Sequence, residues 1–570
     1  MMINSALPPG LILILGALFL PALVGNARKT AMLLLPVITM YFIWGVPDGV
    51  QMTVQFLDYT LEPLQGDKLS RLFATIFTLM AFVGGIFALN QKSQIELMSA
   101  YAYAGGAVGV ALAGDLVTVF VFWEFMAVAS TLVIWSARTK ESYGASMRYI
   151  IVHLFGGVVL MIGIIGQIYH SGSVEFSAMQ ADSWWTWMLL AGFLINAGAP
   201  PFSAWLPDAY PSASWSGSVF LSAFTTKTAV YVLIRSFPGE NVLIFVGLYM
   251  VFYGIIYALL ENDMRRILAY SIINQVGFMV VGIGIGTELS LNGASAHAFA
   301  HIIYKALLLM SAGAVMYEIN KRKCTDLGGL YKAMPLTMIC GTIGALAISG
   351  FPLTSGFTTK TMIASAAASE HIGYAWFLLE AASAGVFLHA GIKFPWFVFF
   401  QRAPGYVEKH FNAKPKDPPF NMRLAMLIMA GFCIGLGVYP EPLYALLPYA
   451  VDYVPYTGTH VVHMLELLLF SGFAFFVLLK MMKRTLTITL DFDWFYRKFF
   501  NLLHEEFFVR HGGAAFVAFK KGSLSRLDAL VKHVTRHHGP HGILARTWPT
   551  GSMVLWVAIL LGLYLLVYYM

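Results

Sequence analysis

Apolar runs of roughly 20 residues recur from one end of this chain to the other, and that is the length at which a helix spans a bilayer core. "LILILGALFL" stands near the start of the series, and "MVLWVAILLGLYLLVYYM" closes it at residue 570. In hydrocarbon every backbone polar group must be satisfied internally, so only helices and closed barrels can span it. Barrel strands alternate apolar and polar residues, whereas these runs are continuously apolar. The sequence therefore predicts an all-α polytopic membrane protein with about sixteen transmembrane helices. The charge content agrees: 11% of the 570 residues are charged, where a soluble domain carries about a quarter.

Charge alternates between the short loops. Arg28-Lys29, Lys92, Arg138/Lys140/Arg148, Arg265/Arg266, Lys321/Arg322/Lys323/Lys332, the 402–423 loop and the basic stretch 480–546 share one side. The other side receives the acidic loops with Asp48, Asp58, Glu62 and Asp67, then Glu175 and Asp182, then Glu441 and Asp452. Lys68, Arg71 and Arg235 also fall there. By the positive-inside rule the basic side is cytoplasmic, which leaves both termini outside the cytoplasm. The opening "MMINSALPPG" has no basic n-region and reads as the lead into a first membrane helix, not as a cleaved signal. Cys324, Cys340 and Cys433 lack metal or disulfide spacing and read as small hydrophobes.

Four lysines lie inside or beside apolar runs: Lys227, Lys305, Lys360 and Lys393. A lysine at bilayer depth costs about 2.5–3.5 kcal/mol on insertion scales, so it needs a partner, water or a function. Lys393 sits near the end of its span, where snorkelling suffices. Lys227, in "LSAFTTKTAVYVLI", has apolar residues on both sides and reads as functional. Glu124 lies equally deep, in "DLVTVFVFWEFMAVASTLVIW". His297, His301 and Lys305 are four apart and share one helix face, which reads as a hydrated polar stripe. Asp208, His153, Glu380 and His389 are weaker candidates, and His153 alone reads as structural.

Two spans are interrupted at matching places. Pro200-Pro201 breaks the run near 184–205, and "ISGFPLTSGFTTK" (Ile348 to Lys360) breaks that near 335–370. Proline removes a backbone donor, and unwound backbone is tolerated at membrane depth only against protein or a water-filled cavity. Breaks five spans apart suggest structural repeats of inverted topology, because an odd number of helices per repeat reverses the second copy.

"FVFWEFM", "PPFSAWLPDAY", "GSVFLSAFTTKTAVYVLIR", "NDMRRILAYSIINQVGF", "AHAFAHIIYKALLLMSAG" and "SGFPLTSGFTTK" occur in that order. Together they resemble the antiporter-like subunits shared by respiratory complex I, membrane-bound hydrogenases and multisubunit Mrp-type cation/proton antiporters, the Mrp D-type subunit above all. The resemblance covers roughly residues 60–400. It implies two inverted five-helix repeats, each containing a broken helix, and a hydrophilic axis of Lys, His and Glu along the membrane midplane. It assigns proton transfer to Glu124, Lys227, His297, His301, Lys305 and Lys360, with Asn196, His153, Asp208 and Lys393 as possible auxiliaries. One position departs from the family: a lysine is expected where this chain has Asn196, and histidines where it has Ser203 and Tyr210. Asparagine can hydrogen-bond Glu124 or hold water but cannot carry the proton. Either Glu124 pairs elsewhere, with His153 a candidate, or protons enter by another route, or the first half-channel is inactive.

The expected organisation is 1–95 N-terminal helices, 96–237 first repeat, 241–400 second repeat, 401–483 further helices, 484–550 a cytoplasmic amphipathic segment and 551–570 a final span. Residues 484–550 mix aromatic, aliphatic and basic residues, as a helix lying along the inner membrane surface would. The stretch "HVTRHHGPHG" (His533 to Gly542) reads as an exposed basic loop, since its spacing is not that of a zinc site. No flavin, haem, iron–sulfur or nucleotide motif is present, so no cofactor is expected. The leading expectation is a proton-translocating subunit of a monovalent cation/proton antiporter in a bacterial or archaeal plasma membrane, partnered by other membrane subunits. The alternatives are a proton-pumping subunit of a redox complex, either a complex I-like NADH:quinone oxidoreductase or a membrane-bound hydrogenase, and a degenerate structural subunit.

Overall fold

A computed structural model describes residues 7–402, 415–480, 528–536 and 550–569, with the single positions 491, 494, 497 and 525. The chain forms two units, Met1–Phe492 and Asp493–Met570. Among the described residues, eleven helices are long and apolar enough to cross a membrane, and three shorter apolar helices accompany them.

In the first unit α1 (Pro9–Phe19), α2 (Gly25–Trp44), α3 (Lys68–Phe87), α4 (Gln94–Ala111) and α5 (Leu116–Trp135) precede the long α6 (Lys140–Ser171). Then come α7 (Trp184–Ala197), the short turns α8 (Trp205–Ala209) and α9 (Gly217–Leu221), α10 (Thr225–Ser236), α11 (Val242–Leu260) and α12 (Met264–Ile285). The set continues with α13 (Glu288–Ile319), α14 (Pro335–Ser349), α15 (Ser355–Ser369) and α16 (Gly373–Val386), which runs on as wide π turns over Phe387–Lys393 and Trp396–Phe400. Helices Phe420–Val438 and Gly458–Val477 complete the unit.

Short polar side chains start these helices by satisfying the free N–H groups of the first turn. Asp67, Asp115, Thr139 and Thr287 cap α3, α5, α6 and α13 in this way. Because Thr139 caps α6, that helix begins well before the expected residue 149, and Arg148 lies inside it instead of in a loop. Helices α12 and α13 are buried almost all round. The outer face of α6 instead exposes Ile151, Leu154, Phe155, Val158, Ile162 and Ile165, an apolar face suited to lipid. The acidic segment expected as a loop after α2 is a β-hairpin, with β1 (Gly49–Phe56) antiparallel to β2 (Tyr59–Gly66). Asp115 ties it down by accepting the Glu62 amide at 2.7 Å.

Both expected breaks occur, and glycine makes each of them. Gly198 (φ 81°) ends α7 and Gly350 (φ 77°) ends α14 in the left-handed conformation that a side chain resists. The hydrogen bonds match. Gly198 N–H reaches Ile195 O at 3.1 Å and Ala199 N–H reaches Leu194 O at 3.0 Å. Gly350 N–H reaches Ala347 O at 3.1 Å and Phe351 N–H reaches Leu346 O at 3.1 Å. This is a Schellman cap, with proline following because it cannot continue the helix. Each break is preceded by a helix of 32 residues, α6 and α13.

The second unit holds the helix Thr550–Tyr569 and a helical stretch over 528–536. Most of the expected amphipathic segment, with the histidines beyond 536, lies outside the described residues, as does 403–414 of the basic loop.

Candidate functional site

The span bearing Lys227 is itself interrupted, between α9 and α10, a break that its sequence does not announce. The interruption frees the Ser222 carbonyl, and Lys227 Nζ donates to it at 2.7 Å and to Thr226 Oγ1 at 3.2 Å. Lys227 is fully buried, as are His297, His301 and Lys305.

The predicted stripe on α13 faces α12 and α15. Lys305 Nζ donates to Ser271 Oγ and, at 3.3 Å, to the Leu268 carbonyl of α12. His297 is held on both ring nitrogens, by Thr359 Oγ1 of α15 at 2.9 Å and by Gln275 Oε1 of α12 at 3.1 Å. Gln275 is oriented by its own amide, which donates to Asn274 Oδ1. Tyr304 OH also donates to Gln275 Oε1, at 3.1 Å. Gln275 Oε1 can only accept, whereas the Thr359 hydroxyl donates or accepts. The same frame therefore holds His297 neutral or charged. Between His297 and Lys305, His301 has no hydrogen-bond partner on either ring nitrogen among the described residues, and its ring lies 6.3 Å from that of His297. Helix α10, which carries Lys227, packs against both α12 and α13.

Lys360 follows the second break on α15. Its ammonium makes no hydrogen bond among the described residues and lies 4.6 Å from the centre of the Phe278 ring, a cation–π arrangement. Glu380 on α16 acts on it electrostatically and sits 3.6 Å from His463. Lys227, the α13 stripe and Lys360 thus come together through α10, α12, α13 and α15.

A second group gathers on α6. Glu124 of α5 presses its carboxyl against Gly157, where an added Cβ would meet Oε1 at 2.0 Å. Glu124 Oε1, His153 Nε2 and Asn196 Oδ1 are all buried without hydrogen-bond partners among the described residues. A direct bond from Asn196 to Glu124 Oε1, one of the expected possibilities, is therefore not made.

Two of the auxiliary candidates have partners of another kind. Asp208 takes Arg148 in a two-pronged ion pair, at 2.7 and 2.9 Å. Lys393 does not snorkel: it is buried and donates to the carbonyls of Ala258, Leu259 and Glu261 at 3.1, 2.5 and 2.6 Å. It closes the C-terminus of α11, where a cation is favoured. Thr359, Gln275 and Tyr304, which surround His297, do not stand out in the sequence, since uncharged residues of these types are common in membrane helices.

Apolar helices wrapped round buried lysines and histidines define a multi-pass helical membrane protein. Residues 113–387 match the model of the NADH:quinone oxidoreductase/Mrp antiporter transmembrane family. The chain belongs to this antiporter-like family of membrane subunits. It is 28% identical over 411 residues to the D-type subunit of the Na(+)/H(+) antiporter of Alkalihalophilus pseudofirmus, 65% of this chain and 80% of that one. It is 28% identical over 414 residues to the A/B-type subunit of a probable K(+)/H(+) antiporter of Rhizobium meliloti, 67% of this chain but only 40% of that longer one. It is 30% identical over 343 residues to the N-type subunit of the NADH-quinone oxidoreductase of Desulforudis audaxviator, 56% of this chain and 66% of that one. A chain of the Mrp complex from Dietzia sp. DQ12-45-1b shares the fold, with a TM-score of 0.69 at 21% identity, covering 82% of this chain and 100% of that one.

Proposed function

We propose that this chain is the proton-translocating subunit of a multisubunit monovalent cation/proton antiporter, and that protons move along Glu124, Lys227, Lys305, His301, His297 and Lys360. The observation that carries the reading is the company these lysines keep. Lys227 and Lys305 are held by carbonyl and hydroxyl oxygens and Lys360 by an aromatic face. Among the described residues none of the three forms an ion pair with a carboxylate. Burying an ammonium without a counter-ion is costly, and unlike Lys393, which three carbonyls fix at the end of α11, none of the three is locked by a full set of acceptors.

Charge on one member then governs the next. At an effective dielectric near 20, unit charges about 6 Å apart interact by roughly 3 kcal/mol, or about two pH units of proton affinity. A proton gained at one end therefore shifts occupancy along the line, as in any set of strongly coupled titrating groups. The freed backbone at the helix breaks supplies carbonyls and amides to solvate a passing proton or cation. The membrane potential adds about 2.3 kcal/mol per charge per 100 mV, so proton influx can drive a cation outward. In this reading the breaks mark two inverted repeats within 96–237 and 241–400, and both termini lie outside the cytoplasm of a bacterial or archaeal cell. Any redox catalysis belongs to partner subunits.

Likeness to the N-type subunit of NADH-quinone oxidoreductase favours a second reading, a proton pump driven by a redox partner. Everted vesicles from an antiporter-deficient host expressing the whole operon separate the two. Na⁺- or K⁺-dependent collapse of ΔpH without added NADH or hydrogen donor, lost in Lys227→Ala and Lys360→Ala, is the expected result. An assembled complex that acidifies vesicles only when a redox donor is supplied would replace the antiporter with the pump.

A further inference from the structure

We propose that in this chain the path from Glu124 to Lys227 runs, with water between them, through His153, Tyr149 and Thr225. The inference rests on the proton-transfer reading above and adds a route specific to this sequence.

Glu124 is the starting point. Its Oε1 occupies the space where a side chain at position 157 of α6 would begin. His153 lies one turn earlier on the same face of α6, and the route places water between its ring and the carboxyl. His153 is buried, and its Nδ1 donates to the Tyr149 carbonyl at 2.9 Å. A carbonyl can only accept, so Nδ1 carries the hydrogen of the neutral ring and Nε2 is left as a bare acceptor. Among the described residues nothing else bonds that Nε2. The ring is stacked on Tyr149 with centroids 3.9 Å apart and meets the edge of Trp205 at 4.7 Å, so it is held in place.

Hydroxyl groups lead onward from there. Tyr149 OH lies 2.9 Å from Ser130 Oγ and 3.4 Å from Thr225 Oγ1. Thr225 Oγ1 also shares a short bond with Tyr103 OH, which accepts the Thr225 amide at 2.8 Å. Thr225 opens α10 beside the interruption where Lys227 Nζ rests on Ser222 O and Thr226 Oγ1. Each hydroxyl both donates and accepts, so it can pass a proton on without holding a charge.

A second observation is independent of these contacts. The 32-residue helices α6 and α13 each stand one helix ahead of a break with the same cap. Counted from their first residues, Tyr149 and His153 fall at the places of His297 and His301, and Gly157 at that of Lys305. The first half thus has Tyr and His where the second has two histidines, and the Glu124 carboxyl fills the space a lysine would take.

The transfer balances. The Glu124 carboxyl gives its proton to His153 Nε2, leaving carboxylate and imidazolium. The imidazolium gives a proton, by way of water, to the hydroxyl pair of Tyr149 and Thr225 and returns to its neutral form. The neutral amine of Lys227 takes one up, and no oxidant or reductant enters.

Two measurements on the assembled complex test the route. One is cation-dependent ΔpH collapse in everted vesicles. The other is the Glu124 carboxyl C=O band in pH-difference infrared spectra, identified by its loss in Glu124→Gln. His153→Gln keeps a hydrogen-bonding side chain but cannot be protonated, and Tyr149→Phe keeps the ring stack without the hydroxyl. Both should lower transport at least about tenfold, the low end of what a positioned proton-transfer group supplies. His153→Gln should also move the Glu124 band, which Tyr149→Phe should leave nearly in place. Adding Asn196→Lys to His153→Gln should restore transport. An unmoved band in His153→Gln would overturn the partnership, and wild-type rates in both single variants would overturn the route. The band is read without any transport, so a wild type that exchanges no cation would sink the antiporter reading while the spectra still decide whether Glu124 and His153 are partners.

Discussion

Gly157→Ala moves the Glu124 carboxyl without altering a single titratable group. An alanine Cβ would stand 2.0 Å from Oε1, 2.6 Å from Cδ and 3.0 Å from Oε2. Ordinary contact begins at 3.4 Å, so Oε1 must retreat by about 1.4 Å. The atoms met are the far end of a flexible side chain, so the helix need not shift. Overpacking of this kind costs about 1–3 kcal/mol, and exchanging glycine for alanine inside a helix returns about 0.5–1 kcal/mol. The complex should therefore assemble. A displacement near 1 Å in a positioned reacting group costs on the order of 100-fold in rate. Transport in everted vesicles, normalised to assembled complex on native gels, should fall by between about ten- and 100-fold. Gly437→Ala is the contrast, since its Cβ would meet the Thr354 backbone at 2.4 Å, where nothing can give. It should abolish assembly. A wild-type rate in assembled Gly157→Ala would refute the claim that the carboxyl works from its seat on α6.

Lys393→Met removes the donor from three carbonyls, each bond worth about 0.5–1.5 kcal/mol net. It should lower the thermal midpoint of the complex, followed by tryptophan fluorescence, with the rate per assembled complex unchanged; a reduced rate would return Lys393 to the proton path. Asp208→Asn loses the two-pronged pair with half-buried Arg148 and should cost about 1–3 kcal/mol in the same melt, again without a transport phenotype. In the hairpin, burial and the neighbouring carboxylates Asp115 and Glu175 push the Glu62 pKa up from its ordinary value. The folded state then holds this proton more tightly than the unfolded state, so hairpin packing weakens as pH rises through the raised value. Glu62→Gln should accordingly slow hydrogen exchange of the Gln65 amide, which bonds Leu112 O at 2.7 Å, at neutral pH and not in acid.

The ionisable residues are legible in the sequence because charge is expensive among apolar residues, and each of Glu124, Lys227, Lys305 and Lys360 stands out against its own run. The breaks at Gly198 and Gly350 are legible for a similar reason, since glycine followed by proline ends a helix. The interruption before Lys227 is not, because "FLSAFTTK" contains neither residue and its unwinding depends on what packs round it. Hydropathy misplaces the start of α6 because it locates the apolar stretch, whereas the helix begins at its cap, Thr139. Lys393 looks like a snorkelling residue because the carbonyls it reaches belong to α11, more than 130 residues earlier. The hairpin is masked by its charges, although "VQMTVQF" alternates as a strand does. Tyr149 and Thr225 bear no charge, so only the geometry separates them from other tyrosines and threonines.

The three lysines also differ in how firmly they are held, and the order follows the proposed path. Lys227 has a carbonyl at 2.7 Å and a hydroxyl at 3.2 Å, Lys305 a close hydroxyl with a carbonyl at 3.3 Å, and Lys360 a ring face alone. A fixed oxygen acceptor favours an ammonium over an amine and keeps the side chain in one rotamer. A ring face attracts the charge through its quadrupole but fixes no single N–H direction. Lys360 is thus the lysine freest to swing, and Glu380 is the carboxylate whose charge it feels. Neutralising Glu380 as Glu380→Gln should then alter transport through Lys360 alone. In a Lys360→Ala background the Glu380 change should have no further effect on the residual rate, whereas independent losses that multiply would show that Glu380 acts elsewhere.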